Sequence, residues 1–162
     1  MRNLLIAAFV AALSLPARAD EKSDLAANMN EAKVPLGRGI AATKAQGTPI
    51  SAKYEVEDGK LQLSVYTAKG DSFSEVIVDH KTGKVGESKP ITSGDDLTAA
   101  KSQNEAMGQA KTSLEAAVSK AVKANKGYKA VSAMPSVKGG HPTAEITLMK
   151  GSSSKTVSQK LD

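Results

Sequence analysis

The chain has 162 residues, enough for one domain or two small half-domains, and its lack of cysteine excludes disulfide frameworks and thiolate metal sites. Its formal net charge is +5, but Arg2 and Arg18 lie in a segment that we expect to be removed, which leaves 20 basic and 17 acidic residues. These charges are scattered along the chain. Because a nucleic-acid-binding surface needs clustered basic side chains, the sequence does not favour a nucleic-acid partner.

The N-terminal residues have the pattern of a secretory signal. A basic start at residues 1–3 precedes an apolar run at residues 4–15, which is too short to span a membrane. Ala17 and Ala19 form an A-x-A cleavage site before Asp20. The sequence therefore predicts a signal peptide at residues 1–19 and a periplasmic or secreted protein without a transmembrane segment in the mature chain. A buried N-terminal helix is the alternative interpretation.

Two helical segments come next. Residues 20–33 are polar and rich in alanine, and they predict a short exposed helix. A second helix starts at Pro35, because proline is favoured in the first turn, and it ends at Gly47. Leu36 and Ile40 are spaced to place their side chains on one face of this helix.

A meander of antiparallel strands is predicted after the second helix. Apolar and polar residues alternate on both sides of Asp58-Gly59, a pattern typical of a β-hairpin. A turn at Gly70 leads to a further strand at residues 73–78, and another turn follows at residues 79–84. One face of the sheet is predicted to carry the alternating apolar residues Ile50, Ala52, Tyr54, Val56, Leu61, Leu63 and Val65.

A turn-rich segment at residues 90–96 is the best internal boundary in the chain. Asp95 and Asp96 suit a helix N-terminus, where carboxylates complement the helix dipole. The clearest helix follows the capping-box pattern at residues 112–115, in which Thr112 is the expected cap. Its apolar stripe consists of Leu114, Ala117, Val118, Ala121 and Val122.

The last part of the chain predicts two more strands, at residues 128–134 and 143–149, joined by residues 135–142. Residues 156–158 fit one further strand.

The two halves of the chain repeat the same order of elements. The pattern of residues 32–40 recurs at residues 110–118, and Lys69-Gly70 recurs at nearly the same offset as Lys150-Gly151. The predicted fold class is therefore α+β, with two tandem units that each pack a helix on a small antiparallel β-meander sheet. The first unit covers residues 20–91, including an N-terminal helical lead, and the second covers residues 92–162.

Several residues of the first half carry a family resemblance. They are the helix led by Leu36, the hairpin at Asp58-Gly59, and most specifically the aliphatic strand that runs into Asp79-x-x-Thr82-Gly83-Lys84. In these features the chain resembles the PepSY domain family, closely over residues 34–89 and more loosely over residues 112–162. The second copy lacks the Thr-Gly-Lys turn and the strand after it, so it is shortened at its C-terminal end.

The PepSY resemblance implies an exported or envelope module. Related domains also occur in the propeptides of secreted metallopeptidases, and peptidase inhibition has been proposed for the family. The family has no general catalytic motif, so the resemblance implies no catalytic residue.

Side chains that could carry chemistry are few. His80 and His141 are the only histidines, and they show none of the H-x-H, H-x-x-x-H or H-E-x-x-H spacings of metal sites, so we interpret them as solvated loop residues. No G-x-S-x-G nucleophile motif is present. We therefore expect no metal, no cofactor and no enzymatic activity.

Tyr66 and Phe73 are the candidate partner-binding residues. Tyr66 alternates with Leu63 and Val65, so its side chain is expected to project from the outer face of the sheet, where an exposed aromatic residue can anchor a partner. Packing beneath a helix is the alternative. If Tyr66 is buried, the edge strand near Val157 is the next candidate surface.

The leading interpretation is an exported, non-enzymatic binding or regulatory module. It would engage an envelope or secreted protein or peptide, with a peptidase among the candidates, through the open sheet face or an edge strand. The alternative is a binder of a small molecule, an ion or an anionic envelope component, which the modest positive charge favours. A hydrolase ranks third.

Overall fold

The computed structural model describes residues 19–162 of the chain. This part contains one antiparallel sheet of seven strands. The helices in this part are α1 (Ala19–Asn28), α2 (Leu36–Ala42), α3 (Gly94–Gln109) and α4 (Leu114–Ala124), with a 3₁₀ turn at Met29–Glu31. The strands are β1 (Thr48–Glu57), β2 (Lys60–Lys69), β3 (Ser72–Val78), β4 (Val85–Ile91), β5 (Lys129–Lys138), β6 (His141–Lys150) and β7 (Ser153–Lys160). Their order in the sheet is β4-β3-β2-β1-β5-β6-β7.

The prediction of two units with separate sheets is wrong, although the protein is α+β. β1 pairs with β5 through Ala52↔Ala133 and Lys53↔Ser132, and this pairing joins both meanders into one sheet. Each of these strands would otherwise leave one edge of its meander with unpaired backbone groups. Pairing them removes two open edges from the middle of the molecule.

The two halves of this sheet have the same register, with a constant offset in sequence between equivalent positions. Tyr54↔Leu63 in β1–β2 corresponds to Pro135↔Ala144 in β5–β6. Ala52 and its partner across β1–β5 are separated by the same offset, so equivalent positions meet where the halves join.

A bulge in β1 changes the predicted face of Ile50. The ladder shifts between Pro49 and Ser51, and the side chain of Ile50 packs in a cluster with Phe73 and Ala100. A β-bulge adds one residue to a strand and so reverses the alternation beyond it. The prediction that Ile50 shares a face with the other apolar residues of β1 is therefore wrong.

α2 and α4 cover one face of the sheet and form the main core with it. The largest fully buried side chains of this core are Leu36, Ile40, Leu63, Leu114, Ile146, Leu148 and Leu161. Tyr54 lies in the same core and donates a hydrogen bond from its hydroxyl to the carbonyl oxygen of Val34. Burial raises the pKa of Tyr54 to about 12.

α3 packs against the opposite face of the sheet. Its buried residues are only Ala100 and Ala106, and Leu97 and Met107 add partly buried contacts. Asp95 lies in its first turn, as predicted with Asp96. The packing of α3 on the outer face of the sheet forms a second, smaller core.

The capping residue of α4 is one position later than predicted. Ser113 is the N-cap, and its Oγ accepts a hydrogen bond from the backbone nitrogen of Ala116 at 3.1 Å. Thr112 instead donates its backbone N–H to the carbonyl oxygen of Leu161 at 2.9 Å.

The prediction of a loop at residues 135–142 is also wrong. β5 continues through Pro135, and only Gly139-Gly140 separates β5 from β6. β5 pairs with β1 only at Ser132 and Ala133, so Pro135 lies beyond that contact and needs no N–H on that side.

Part of the predicted signal lies outside the described residues. Ala17 is not among them, and Ala19 and Asp20 open α1, which buries no residue. Among residues 19–162, no helix is both long and apolar enough to cross a membrane.

Candidate functional site

The outer edge of β7 is one of the two open edges of the sheet among residues 19–162, and β4 forms the other. β7 pairs with β6 along its whole length, from Thr143↔Lys160 to Lys150↔Ser153, and none of the other described strands pairs with its second edge. Six of its eight residues are exposed and the other two are half-buried. Alternate residues of an edge strand direct N–H and C=O groups away from the sheet, so β7 presents unpaired hydrogen-bonding groups to solvent.

The end of β7 is held firmly by the residue that follows the strand. Leu161 is 0% exposed, and its backbone nitrogen donates to the carbonyl oxygen of Pro142 at 2.9 Å. Its carbonyl oxygen accepts from the backbone nitrogens of Lys111 at 2.7 Å and Thr112 at 2.9 Å. The edge is therefore a preformed strand fixed to the core at its C-terminal end.

The same anchor exists in the first half of the chain. The carbonyl oxygen of His80 accepts from the backbone nitrogens of Lys33 at 2.9 Å and Val34 at 3.0 Å. His80 and Leu161 are separated by the same offset as the other equivalent positions of the two halves. β3 and β7 are therefore equivalent strands that end in equivalent anchors.

The two equivalent strands differ in what covers their outer edge. The outer edge of β3 pairs with β4, for example through Glu75↔Lys89 and Val76↔Ser88. The corresponding position of β7, at Val157, has no counterpart of β4 among the described residues.

The charge on β7 is positive. The strand contains Lys155 and Lys160 and no carboxylate. The ammonium nitrogen of Lys155 lies 4.3 Å from the centre of the ring of Tyr128, the residue before β5, in a cation–π contact that reaches across β6.

The two carboxylates nearest β7 already have basic partners. Glu145 accepts a hydrogen bond from Lys138 at 2.7 Å, and this bond holds the pKa of its carboxyl below the usual range. Asp162 lies 2.6 Å from Nδ1 of His141, and the contact lowers the pKa of the Asp162 carboxyl. The strand itself is therefore basic, and of these two carboxylates only Asp162 also interacts with one of its lysines, Lys160.

The predicted aromatic surface lies beneath α3. Phe73 is 5% exposed and packs with Ile50 and Ala100, so of the two interpretations of this residue the one that packs it beneath a helix is correct. Tyr66 is half-buried beside this cluster, and its hydroxyl donates to Glu75 at 3.4 Å. The sheet face predicted for Tyr66 is correct, but α3 covers much of this face; its role in binding a partner stays a prediction.

Tyr66 belongs to a row of polar side chains on this face of the sheet, which the sequence interpretation missed. The other members of this polar row are Lys53, Glu55, Ser64 and Glu75. Burial raises the pKa of its phenol strongly, with further increases from the negative charges of Glu75, Glu55 and Asp96. Burial likewise raises the pKa of the Asp96 carboxyl, and the positive charge of Lys53 partly offsets this increase. The alternation of polar residues in β1 and β2 was the available signal.

Hydrogen bonds and an ion pair satisfy this row. Lys53 and Glu55 form an ion pair at 2.7 Å, and their side chains are each only 18% exposed. Ser64 donates to the other oxygen of Glu55 at 3.1 Å. No histidine or cysteine joins the row, and no group of three or more possible metal-ligating side chains occurs within residues 19–162.

The two histidines do not come together. His141 opens β6 and is exposed, whereas His80 is half-buried and its Nδ1 is buried without a hydrogen-bond partner. His80 therefore lies in the predicted turn, but its ring is half-buried and not fully solvated. Within residues 19–162, neither side chain belongs to a group of three or more possible metal ligands.

A shallow cavity of about 100 Å³ lies between α1 and the β6–β7 turn. Asn30, Lys129, Lys150 and Gly151 are among its lining residues. Sites for drug-sized ligands occupy roughly 300–1,000 Å³, so only a small ion or group would fit here.

Comparison with known proteins adds no relative: no protein-family model, no curated protein and no solved structure matches this chain. The PepSY resemblance therefore stays a prediction, and the open edge of β7 is the surface that best suits a partner.

Proposed function

We propose that this protein is an exported, non-enzymatic binding module that engages an envelope or secreted protein or peptide, with a peptidase among the candidate partners. The observation that supports this proposal is the unpaired outer edge of β7, an exposed eight-residue strand. An extended segment of a partner can add to such an edge as one more strand, with main-chain hydrogen bonds that supply affinity.

The anchor at Leu161 favours this mode of binding. A binding surface that is already ordered avoids the entropic cost of ordering it during association. β7 is paired with β6 over its full length, and its following residue is buried and hydrogen-bonded, so little of the strand remains to be ordered.

Site-specific photocrosslinking in the exporting cell tests the proposal. A photoreactive amino acid at Thr156 on β7 is compared with one at Glu87, an exposed position on the other edge strand, β4. The proposal predicts a discrete crosslinked partner at Thr156 and much less of it at Glu87. Equal yields at both positions, or no conjugate at Thr156, would contradict it.

A second candidate function is the binding of a small anion in the cavity near Lys129. Lys129 and Lys150 line this cavity together with Gly151, so two cationic side chains lie beside it. Titration with inorganic phosphate, followed by the amide NMR signals of Lys129 and Gly151, would show saturable shifts if this function is correct. Absence of shifts at millimolar phosphate would exclude it for phosphate.

A further inference from the structure

We infer that the edge of β7 receives an extended, acidic segment of another protein, which lies antiparallel to β7 as β4 lies on β3. This inference rests on the proposed function and names the chemistry of the partner. It depends on the equivalence of two strands, on the charges of β7, and on the faces of the sheet to which those charges project.

The ladder between β3 and β4 provides the template. The β2–β3 pair Val65↔Val76 corresponds to the β6–β7 pair Ile146↔Val157 in the second half of the sheet. A partner residue opposite Val157 would therefore occupy the place that Ser88 takes opposite Val76. Strand addition in this register continues the antiparallel pattern of the whole sheet.

The lysines of β7 select for acidic side chains on the incoming strand. Cross-strand pairs of opposite charge stabilise a sheet, and like charges directly opposite each other destabilise it. Lys155 and Lys160 are both exposed. Glu145 is paired with Lys138, and Asp162 is hydrogen-bonded to His141 with a smaller electrostatic contribution from Lys160 to its lowered pKa. An acidic segment would supply the missing negative charge.

A second copy of this chain fits the edge poorly. Two β7 strands side by side would bring four lysines and no carboxylate into one ladder. Lysine on an edge strand is a known device against such self-pairing. The basic edge thus disfavours its own copy while it attracts an acidic partner.

The positions of the lysines predict the spacing of the acids. Side chains alternate between the faces of a strand, so Lys155 and Lys160, five residues apart, project to opposite faces. Lys155 lies on the side of the main core, since its neighbours in the ladder include Leu148. The partner strand therefore needs two carboxylates that are five residues apart and on opposite faces.

Synthetic peptides of the length of β7 test this geometry with the whole protein. The first has two glutamates five residues apart in a background of alternating threonine and valine. The second has the same composition with the glutamates four residues apart, which places them on one face. The third has lysines in place of the glutamates of the first. Affinity is measured by fluorescence anisotropy of labelled peptides, and the binding position by amide hydrogen exchange.

The first peptide is expected to bind most tightly and to protect β7 amides. The affinity of the first peptide for the double variant Lys155→Glu/Lys160→Glu should be about tenfold lower or more, since two attractive pairs become repulsive. The same variant should bind the lysine peptide better than the unmodified protein does. Lys89→Glu on β4 is the matched control, and it should leave the affinity unchanged. If the double variant fails to fold, Lys160→Gln alone should weaken binding of the first peptide.

Three results would overturn the inference. One is equal binding of the glutamate and lysine peptides, and another is protection of β4 or of the α3 face in place of β7. The third is concentration-dependent self-association that protects β7 without any peptide, which would make a second copy the occupant. If Thr156 still crosslinks a partner while the acidic peptides fail, the chemistry inferred for the partner is wrong and the proposed function stands.

Discussion

Leu161→Ala should destabilise the protein more than a change at any exposed residue of β7, because Leu161 anchors the strand to the core. Leu161 is 0% exposed and packs in the main core, and its backbone connects β7 to the segment before α4. Truncating a buried leucine to alanine costs about 2–5 kcal/mol, with the larger values where the cavity cannot collapse. Because Leu161 packs among fully buried side chains of both halves, we expect about 3–4 kcal/mol.

Urea denaturation of the variant and the unmodified protein measures this loss, with Lys160→Ala as the control at the exposed neighbour. Amide hydrogen exchange adds a positional readout, since the anchor should matter most for β7. We expect exchange to accelerate more in β7 than in β4. A loss of stability below about 1 kcal/mol, or equal acceleration at both edges, would refute the reasoning that Leu161 anchors the strand.

Four further predictions follow from the structure. Ser113→Ala should cost about 1 kcal/mol in urea denaturation, and Thr112→Ala close to nothing, because the Ser113 hydroxyl caps α4; the reverse order would contradict this assignment. Phe73→Ala should cost about 3–5 kcal/mol of unfolding free energy, because the ring is buried under α3, whereas a near-neutral effect would return it to the surface. The pKa of Tyr54 is raised from 10.0 to about 12 in the fold, so its contribution to stability is fully present below pH 10 and is lost as the pH rises towards 12. Denaturation of Tyr54→Phe at several alkaline pH values should show a shallower loss, and an unchanged slope would disprove the linkage. N-terminal sequencing of the exported protein should begin at Asp20, and an intact N-terminus would rule out the cleavage.

Local features of the fold could be predicted from the sequence, because the backbone itself demands particular residues there. The hairpin between β1 and β2 turns at Asp58 and Gly59, both of which have positive φ values, of 49° and 73°. Aspartate and glycine are residues that adopt this region, so their position between alternating strands predicted the turn correctly.

The joining of the two halves could not be predicted in the same way. Alternation identifies a strand and its buried face, but it does not say which other strand pairs with its free edge. β1 and β5 meet over a short contact at Ala52 and Lys53, whose sequence resembles any half-buried strand. The bulge at Ile50 likewise has no signal in the alternation.

The site was only partly predictable for a related reason. Alternation predicts the face of Tyr66 correctly. The helix that covers this face, α3, could not be predicted, because it buries only two alanines and so lacks the apolar stripe typical of a helix packed on a sheet. The sequence indicates β7 only as residues 156–158, with the edge near Val157 as the alternative surface. Its full length and its lack of a covering strand depend on the sheet order, which the sequence does not specify.

Amide hydrogen exchange of the protein in complex with its crosslinked partner shows whether the partner binds along β7. We expect slower exchange at alternate residues of β7, those whose N–H groups point away from β6, with β4 unchanged. Protection confined to the α3 face, to β4 or to the cavity at Lys129 would contradict the claim that β7 is the binding edge.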